Sequence, residues 1–332
     1  MDVLVIGQEE VRRLLSPADC IEVMAGAFAA LARGEALQPL RTAHRLPGDR
    51  GLLAVMPAYL GDIDAPGIKV ITVFPGNHGT ELDSHQGAIL LFEGERGQLV
   101  AVVDATEVTA IRTAAVSGLA TRLLARADAG DLAILGSGTQ ARSHLAAMAA
   151  VRRLRRVRVW SRDPARAAAF AESARSEQAC DVAAVASARE AVAGADLVCT
   201  TTSAREPILE GAWLTPGAHI NAVGACLPVV RELDGAAVAR ARLIVDRRES
   251  ALAEAGDILL ARAEGAIGAD HIAGELGEVL IGTCPGRRAD DEITLFKSLG
   301  IGIEDIAAAH FIHRRAREQG AGVALQLGGR RD

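Results

Sequence analysis

The sequence predicts an α/β protein in which a doubly wound parallel sheet is joined to a discontinuous α+β domain. Between residues 132 and 250, apolar strand-like segments alternate with helical ones, which is the pattern of βαβ units. The first hundred residues instead place several strands in succession, and a last helix follows the alternating region. A chain of 332 residues is also long for a single core, so we expect two domains.

Composition indicates a small-molecule partner. Half of the residues are apolar, and the formal charge of -6 comes without a cluster of basic residues. This charge pattern argues against binding to nucleic acid or to an anionic membrane. No uninterrupted apolar stretch reaches the ~20 residues of a membrane span, and the first residues lack the features of a signal peptide.

The cysteines indicate a reducing, cytoplasmic compartment. They are five, an odd number, and they lie far apart without a Cys-x-x-Cys pair. This spacing predicts neither a disulfide framework nor a zinc knuckle. His310 and His313 are three residues apart on a predicted helix, but no third ligand is in view, so no metal is expected.

The first domain is predicted to begin with a strand at residues 2–6. A helix should then open at Pro17, with Ser16 as its N-cap. Strand-like segments follow at LLAVMPAYL, GIKVITVFP and GAILLFEGERGQLVAVVD, and the turn around Gly97 in the last predicts a hairpin. Residues 106–129 predict a long helix that connects the domains.

The second domain is predicted from six strands separated by helical segments. They lie at residues 132–138, 157–162, 181–185, 196–202, 219–224 and 242–250. A final helix at 303–320 lies beyond this sheet, and we expect the tail GGRRD to be disordered.

A dinucleotide site of the Rossmann type is predicted by GSGTQA at residues 136–141, which follows a strand and opens a helix. Gly136 would allow the tight turn, Gly138 would let the backbone approach a pyrophosphate, and Ala141 would let helix and strand pack closely. Thr139 and Gln140 would lie at the helix N-terminus, which favours phosphate. The alternative is an ordinary strand-to-helix turn.

The tip of the second strand favours NADPH over NADH. An NAD site usually has an acid there for the ribose 2′-hydroxyl, whereas a 2′-phosphate prefers a hydroxyl and an arginine. This chain has Ser161 and Arg162. NADH is possible if Arg162 is only a solvated surface residue, and the neighbouring Asp163 supports that alternative.

Cationic residues identify a candidate substrate site. Arg112 lies among small residues, where its guanidinium could clamp a carboxylate, or alternatively form an interdomain ion pair. Lys69 lies in an apolar strand and either extends to the strand edge or points into a pocket, where burial would lower its pKa. Arg41, after a Pro-Leu turn, is a weaker candidate.

Over nearly its whole length, the chain resembles the ornithine cyclodeaminase/mu-crystallin family. The matching segments are GIKV (67–70), FPGN (74–77), SHQGAILLF (84–92), TAIRTAA (109–115), GSGTQA (136–141), NAVG (221–224), ELGE (275–278) and FKSLG (296–300). The resemblance implies a substrate and dimerisation domain of residues 1–112 completed by 303–332, with a Rossmann domain at 113–302.

The resemblance also implies site residues. Substrate contacts are expected at Arg41, Met56, Lys69, Arg112 and Cys226, with Lys69 and Arg112 as the catalytic candidates. Cofactor contacts outside the glycine loop and the tip of the second strand are expected at Ser84, His85, Arg112, Thr113, Thr201, Val223 and Ser298.

Cys226 separates two activities of the family. The cyclodeaminases that this chain resembles carry an Asp in the loop after NAVG, and Cys226 matches that position. A thiol with an ordinary pKa near 8.5 is a poor substitute for a carboxylate near 3.9. The segments EPIL (206–209), RELD (231–234) and ALAEAGD (251–257) instead resemble the mu-crystallin-like branch, whose members reduce ketimines.

The sequence therefore predicts a homodimeric reductase of ketimines or cyclic imino acids that uses NADPH, or NADH, and delivers hydride to the α-carbon of a pyrroline-2-carboxylate or piperideine-2-carboxylate type of substrate. One alternative is a cyclodeaminase-type lyase with bound NAD, or an amino acid dehydrogenase with the same pocket. A second is a protein that binds NADPH and a small ligand without catalysis.

Overall fold

The computed structural model describes residues 2–77 and 79–327, so the tail GGRRD lies outside the described residues. The chain divides into two compact units. The first contains residues 1–112 and 300–332, and the second contains residues 113–299. Residues 300–302, which the sequence assigned to the Rossmann domain, belong to the first unit because Ile301 is the N-cap of the final helix and Gly302 begins it.

Strands and helices are numbered separately along the chain. The strands are β1 (Asp2–Ile6), β2 (Ala36–Leu37), β3 (Thr42–Arg45), β4 (Leu52–Leu60), β5 (Ala65–Val73), β6 (His85–Phe92), β7 (Leu99–Asp104), β8 (Asp131–Leu135), β9 (Arg156–Trp160), β10 (Asp181–Ala184), β11 (Leu197–Thr200), β12 (His219–Ala222), β13 (Ala241–Val245), β14 (Ile272–Glu275), β15 (Ile293–Lys297) and β16 (Val323–Gln326). The helices are α1 (Gln8–Leu14), α2 (Pro17–Ala32), α3 (Ala105–Leu124), α4 (Thr139–Val151), α5 (Pro164–Arg175), α6 (Ala188–Val192), α7 (Gly235–Arg240), α8 (Arg248–Glu254), α9 (Gly256–Ala263), α10 (Leu276–Leu280) and α11 (Gly302–Gln319).

The first unit contains a mixed sheet in the order β16-β1-β7-β6-β5-β4-β2, and β3 also pairs with β4. The predicted first strand and the hairpin of β6 and β7 are confirmed. Ser16 caps α2 as predicted, since its hydroxyl accepts a hydrogen bond from the Asp19 amide at 3.1 Å. Helix α11 packs on β4, β5 and β6, so one face of these strands is buried beneath it. This packing places the first turn of α11 against the middle of the sheet.

The second unit contains a parallel sheet in the order β10-β9-β8-β11-β12-β15-β13-β14. Strands β9 and β10 extend from β8 in one direction and β11 and β12 in the other, so the predicted doubly wound sheet is confirmed. The carboxyl ends of these strands meet at one edge, which is where such sheets bind ligands. Except for Thr113, the predicted dinucleotide residues of this unit follow β8, β9, β11, β12 and β15 at that edge.

The largest differences from the predicted boundaries are at the ends of two elements. The long helix ends at Leu124 rather than 129, because Arg287 donates to the carbonyl oxygen of Leu124 (2.7 Å) and Arg152 donates to that of Thr121 (2.9 Å). The strand predicted at 242–250 ends at Val245, and α8 follows it. Strands β14, β15 and β16 were not predicted. Short apolar runs such as ITLFK do not distinguish a buried strand from a helix segment.

No single helix of the described residues is long and apolar enough to cross a membrane. Helices α1 and α2 reach that apolar length only together, and they are bent by 84° relative to each other.

Candidate active site

Lys69 lies in the buried face of β5. Alternate residues of this strand point toward α11, and the side chain of Lys69 is only 1% exposed. Its Nζ lies 2.7 Å from Asp305 Oδ2 and 3.5 Å from the hydroxyl of Thr109. Burial lowers the pKa of Lys69 to about 8, helped by the nearby charge of Arg112 and opposed by Asp305. The side chain is therefore buried inside the unit and does not extend to the strand edge.

Arg112 lies on α3 beside the same carboxylate. Its Nε donates to Asp305 Oδ1 at 3.0 Å, and its Nη1 donates to Glu304 Oε2 at 2.6 Å. Burial works against the charge, but Asp305 and Glu304 outweigh it and raise the pKa of Arg112 above its ordinary value. Gly300 has φ +78° and packs against the guanidinium, where an added Cβ would lie 2.4 Å from Nη1. Arg112 thus forms an ion pair, but within one unit rather than between domains.

Glu304 and Asp305 hold the two cations, and sequence reasoning missed both acids. They lie in the first turn of α11, where acids commonly stabilise a helix N-terminus. Glu304 also accepts a hydrogen bond from the Ile301 amide at 3.1 Å. Their sequence position is therefore typical of ordinary capping acids, and nothing in the pattern showed that both side chains are fully buried.

One further predicted substrate residue lies beside Lys69. In the register of the sheet, Met56 of β4 is directly opposite Lys69 of β5, and Met56 is also buried. Directly opposite residues of antiparallel strands point to the same face. Met56 and Lys69 thus lie side by side on one face of the sheet, and Arg112 is connected to Lys69 through Asp305. Arg41 directly precedes β3, whose first residue, Thr42, is opposite Val55 of β4.

Ser84 and His85 lie at the start of β6. The Ser84 hydroxyl is 3.2 Å from His85 Nδ1, and the Thr106 hydroxyl donates to the His85 carbonyl oxygen at 2.9 Å. His85 is opposite Val73, four residues along β5 from Lys69. Thr113, the first residue of the second unit, is buried.

The glycine loop has the geometry of a phosphate-binding turn. Gly136 has φ +128°, and a Cβ there would lie 2.6 Å from the hydroxyl oxygen of Thr201. Gly138 is the N-cap of α4 and receives no side-chain cap, and no described atom lies within 4 Å of a Cβ built on it. Thr139 and Gln140 form the first turn, and Ala141 is buried. The space beside Gly138 at the start of α4 is therefore not filled by any described atom.

The tip of β9 presents the residues predicted to select the cofactor. The Ser137 hydroxyl donates to the Ser161 hydroxyl at 3.0 Å, and Arg162 is exposed. Asp163 caps α5, since its Oδ1 accepts from the amides of Ala165 (3.0 Å) and Arg166 (3.3 Å). The acid that could have indicated NADH is therefore engaged in capping a helix.

Three other predicted residues lie at the ends of β11, β12 and β15. Thr201 donates its amide to the Leu135 carbonyl oxygen at 2.9 Å. Val223 is buried, and its carbonyl oxygen accepts a hydrogen bond from the half-buried thiol of Cys226 at 3.3 Å. Ser298 is 1% exposed, and its hydroxyl has no hydrogen-bond partner among the described residues. A buried, unpaired hydroxyl at this edge is suited to a ligand.

A second buried lysine, Lys297, was not predicted as a functional residue. It is the last residue of β15, and its Nζ lies 2.9 Å from Asp257 Oδ2. Burial opposes its charge, but Asp257, Cys226 and Glu232 together raise the pKa of Lys297 above its ordinary value. Lys69 and Lys297 are the only lysines in the chain.

Metal ligands are not clustered in the part of the chain that the structure describes. No group of three or more His, Cys, Asp or Glu residues there could hold an ion. Burial lowers the pKa of both His310 and His313, which are half-buried on α11.

The comparison with known proteins identifies the family. Residues 1–320 match the sequence model of the ornithine cyclodeaminase/mu-crystallin family. The chain belongs to this family. The resemblance expected from the sequence motifs is therefore confirmed.

Relatives within the family differ in their reactions. Ketimine reductase mu-crystallin of Mus musculus is 45% identical over 280 residues, which cover 84% of this chain and 85% of the relative. The Δ1-pyrroline-2-carboxylate reductase of Thermococcus litoralis, whose structure contains NADH and L-proline, is 38% identical with a TM-score of 0.94, over 97% of this chain and 99% of that one. An archaeal alanine dehydrogenase dimer with bound NAD is 32% identical with a TM-score of 0.93, over 99% and 100%.

The predicted site residues of this family member form two sets, each within one unit. In the first unit, Met56, Lys69 and Arg112 are connected by strand register and by Asp305, and Arg41 directly precedes β3 of the same sheet. In the second, residues of the glycine loop contact Ser161 and Thr201. The structure adds two acids to the first set, Glu304 and Asp305. To the second it adds a buried network of Glu232, Asp257 and Lys297.

Proposed function

We propose that this protein is an NAD(P)H-dependent reductase of cyclic 2-imino acids of the pyrroline-2-carboxylate or piperideine-2-carboxylate type. The observation that carries the proposal is the buried pair of Lys69 and Arg112, bridged by Asp305. It combines a guanidinium suited to a carboxylate with an ammonium whose pKa of about 8 suits proton transfer near neutral pH. The reactions named for the mouse and Thermococcus relatives support the same class.

The dinucleotide residues fit the cofactor. The uncapped start of α4 offers amide donors for the pyrophosphate, and Gly136 and Gly138 leave the space that it needs. The unpaired hydroxyl of Ser298 offers a further contact. When bound, the reduced nicotinamide supplies the hydride.

Of the two cofactors, we propose that the protein prefers NADPH. Ser161 and exposed Arg162 suit a 2′-phosphate, and Asp163 is engaged in capping α5. NADH is used less well, because no uncommitted acid follows β9 to accept the ribose hydroxyls.

In the reaction, the residues of the first unit bind the substrate and supply a proton. Arg41 and Arg112 hold the α-carboxylate, which fixes the C=N carbon and lowers the barrier through orientation. When hydride adds to that carbon, the nitrogen receives the π-electron pair. Lys69 provides the proton that the nitrogen needs, and Asp305 stabilises the protonated lysine beforehand.

The loop at Cys226 disfavours a cyclodeaminase. Ring closure from an amine requires an acid–base group, and a thiol replaces a carboxylate poorly in that role. Glu232 is the only acid in the stretch NAVGACLPVVREL, and both of its carboxylate oxygens accept two hydrogen bonds each. It is therefore not available as the missing base. A preformed imine places less demand on such a group.

We propose a homodimer because the first sheet has an apolar face on the side opposite Lys69. Pro57, Ile68 and Leu90 form a cross-strand row that points away from Lys69, and all three are only half-buried. Leu53 on the same face is 37% exposed. An apolar face of this kind marks an interface, and the archaeal alanine dehydrogenase relative is described as a dimer.

The test of the dimer is the mass in solution. Light scattering should give a mass twice that of the 34.5 kDa chain. In the Ile68→Asp variant, the measured mass should fall to that of a single chain.

The test of the function is oxidation of NADPH, followed at the nicotinamide absorbance, with pyrroline-2-carboxylate and piperideine-2-carboxylate as substrates. Ornithine with NAD is the parallel control. We expect turnover of the cyclic imines and none of ornithine. Release of ammonia from ornithine would instead identify a lyase, and tight NADPH binding without turnover of any imine would identify a binding protein.

A further inference from the structure

The carboxylate of Glu232 is fully buried and accepts four short hydrogen bonds. Oε1 accepts from the amide and the hydroxyl of Thr202, both at 2.6 Å. Oε2 accepts from the hydroxyl of Thr200 and from the amide of Gly224, both at 2.7 Å. One side chain thus binds two separate loops at the carboxyl edge of the parallel sheet.

These loops contain predicted cofactor contacts. Thr200 ends β11, and Thr201 lies between the two threonines that donate to Glu232. Val223 lies directly before Gly224, just after the end of β12. The loops are also tightly packed, since a Cβ on Gly224 would lie 2.0 Å from the Thr202 carbonyl oxygen. Glu232 therefore holds the backbone on either side of Thr201 and directly after Val223.

Asp257 and Lys297 hold Glu232 from the other side. Asp257 Oδ1 accepts from the Glu232 amide at 2.8 Å and from the Leu233 amide at 3.0 Å, and its Oδ2 pairs with Lys297. Lys297 ends β15, directly before Ser298. The chain of contacts from Lys297 through Asp257 to Glu232 therefore joins the ends of three strands.

The hydrogen-bond pattern requires a carboxylate. Each oxygen of Glu232 accepts from one backbone amide, which can only donate. A glutamine would place its NH₂ group against an amide N–H in either orientation. Lys297 supplies a positive charge to this buried network, since its Nζ lies 2.9 Å from Asp257 Oδ2.

We infer that Glu232, held by Asp257 and Lys297, is a positioning residue that fixes the loops of Thr201 and Val223 for the dinucleotide. The inference rests on the proposed function only in naming the dinucleotide as the ligand. It predicts that Glu232 affects cofactor affinity through the order of two loops. Affinity for the imine should depend on Glu232 far less.

The test compares Glu232→Gln with Glu264→Gln. Glu264 is exposed and pairs with Arg231, so the control removes an acid next to the same loop without disturbing the network. In the protein without cofactor, hydrogen exchange of the Thr202 and Gly224 amides should increase about 10- to 100-fold in Glu232→Gln, as expected for a lost hydrogen bond to a charged group. The dissociation constant for NADPH, from nicotinamide fluorescence, should rise about 10-fold. Glu264→Gln should match the wild type in both measurements.

A milder variant covers the case in which Glu232→Gln does not fold. Thr200→Val keeps the side-chain shape and removes one donor, so NADPH affinity should fall by a few-fold while the unfolding temperature changes little. Steady-state kinetics should show a raised KM for NADPH and a nearly unchanged KM for the imine.

The two levels of the hypothesis fail differently. A wild-type protein that binds neither NADPH nor NADH would overturn the proposed function, whatever the variants do. A wild type that binds NADPH, with unchanged exchange and affinity in both Glu232→Gln and Thr200→Val, would overturn the positioning role alone.

Discussion

The two lysines of this chain have similar immediate surroundings, but their pKa values are shifted in opposite directions. Lys69 and Lys297 are both buried, and each pairs with one aspartate, at 2.7 Å from Asp305 and 2.9 Å from Asp257. Yet the pKa of Lys69 falls to about 8, whereas the pKa of Lys297 rises above its ordinary value. Burial lowers the pKa of both lysines, so the difference between them comes from charged groups other than the paired aspartate.

Both lysines have a second carboxylate nearby, but only Lys69 has a cation among the groups that shift its pKa. Arg112 shares Asp305 with Lys69 and lowers the pKa of Lys69 more than Glu304 raises it, whereas Glu232 adds to the effect of Asp257 on Lys297. Lys69 can therefore exchange a proton near neutral pH, and Lys297 remains a fixed charge. An aspartate partner alone does not distinguish a catalytic lysine from a structural one.

The largest expected effects distinguish the catalytic role proposed for Lys69 from the structural role of Lys297. Lys69→Met should lower kcat by about 10²- to 10⁴-fold through loss of the proton donor, with a small change in stability because Asp305 keeps its bond to Arg112. Lys297→Met leaves Asp257 without its cation and should reduce the free energy of unfolding by about 3–5 kcal/mol. Imine turnover and denaturant unfolding measure the two effects. If Lys69→Met and Lys297→Met lost activity equally and were equally stable, the two lysines would not differ in role.

Arg112→Ala should affect both binding and proton transfer. Loss of the guanidinium removes a carboxylate contact and should raise the KM of the imine about 100-fold, as for a strong charge-assisted interaction. It also removes the cation that lowers the pKa of Lys69, so the alkaline limb of kcat/KM should move to higher pH. Kinetics near those of the wild type would remove Arg112 from the site.

The cofactor preference should depend on the tip of β9 and not on either lysine. Ser161→Asp combined with Arg162→Ala should shift the ratio of kcat/KM for NADPH over NADH toward NADH by about 10-fold or more. Arg166→Ala, on the exposed first turn of α5, is a matched control that should leave the ratio unchanged. An unchanged ratio in the double variant would contradict the assignment of these two residues.

The smallest expected effect is a shift in the pH profile. In the proposed reaction protonated Lys69 is the donor, so kcat/KM for imine reduction should decline as the pH rises above about 8. Asp305 raises the pKa of Lys69, so Asp305→Asn should move this limb to lower pH, whereas Asp257→Asn should not move it. A limb that stays in place in Asp305→Asn would assign the titration to the substrate instead.

The sequence predicted the elements that local patterns determine. GSGTQA, with its strand and helix, indicated the loop at Gly136, and the hairpin turn at Gly97 indicated β6 and β7. It also identified Lys69 because a lysine in an apolar strand is unusual. Local patterns were sufficient wherever a residue type rarely occurs in that setting without a specific role.

The acids that tune these cations were not predicted, because their function depends on distant contacts. Asp305 and Lys69 are more than 200 residues apart in the chain, and Asp305 resembles an ordinary acid of a helix first turn. Glu232 contacts Thr200 and Gly224 through a loop whose path no short pattern determines. Strand β15, which carries Lys297, was likewise missed because its apolar run is short.

The most direct test of the central claim is an NMR titration of the two lysines. Protein labelled with ¹³C-lysine has only two such side chains, and Lys69→Met assigns the signals. We expect the ε-carbon signal of Lys69 to report titration of its amine near pH 8. The signal of Lys297 should show an amine that stays protonated beyond the ordinary lysine pKa of about 10.4. Two signals that both titrate near or above 10.4 would contradict the assignment of Lys69 as the proton donor.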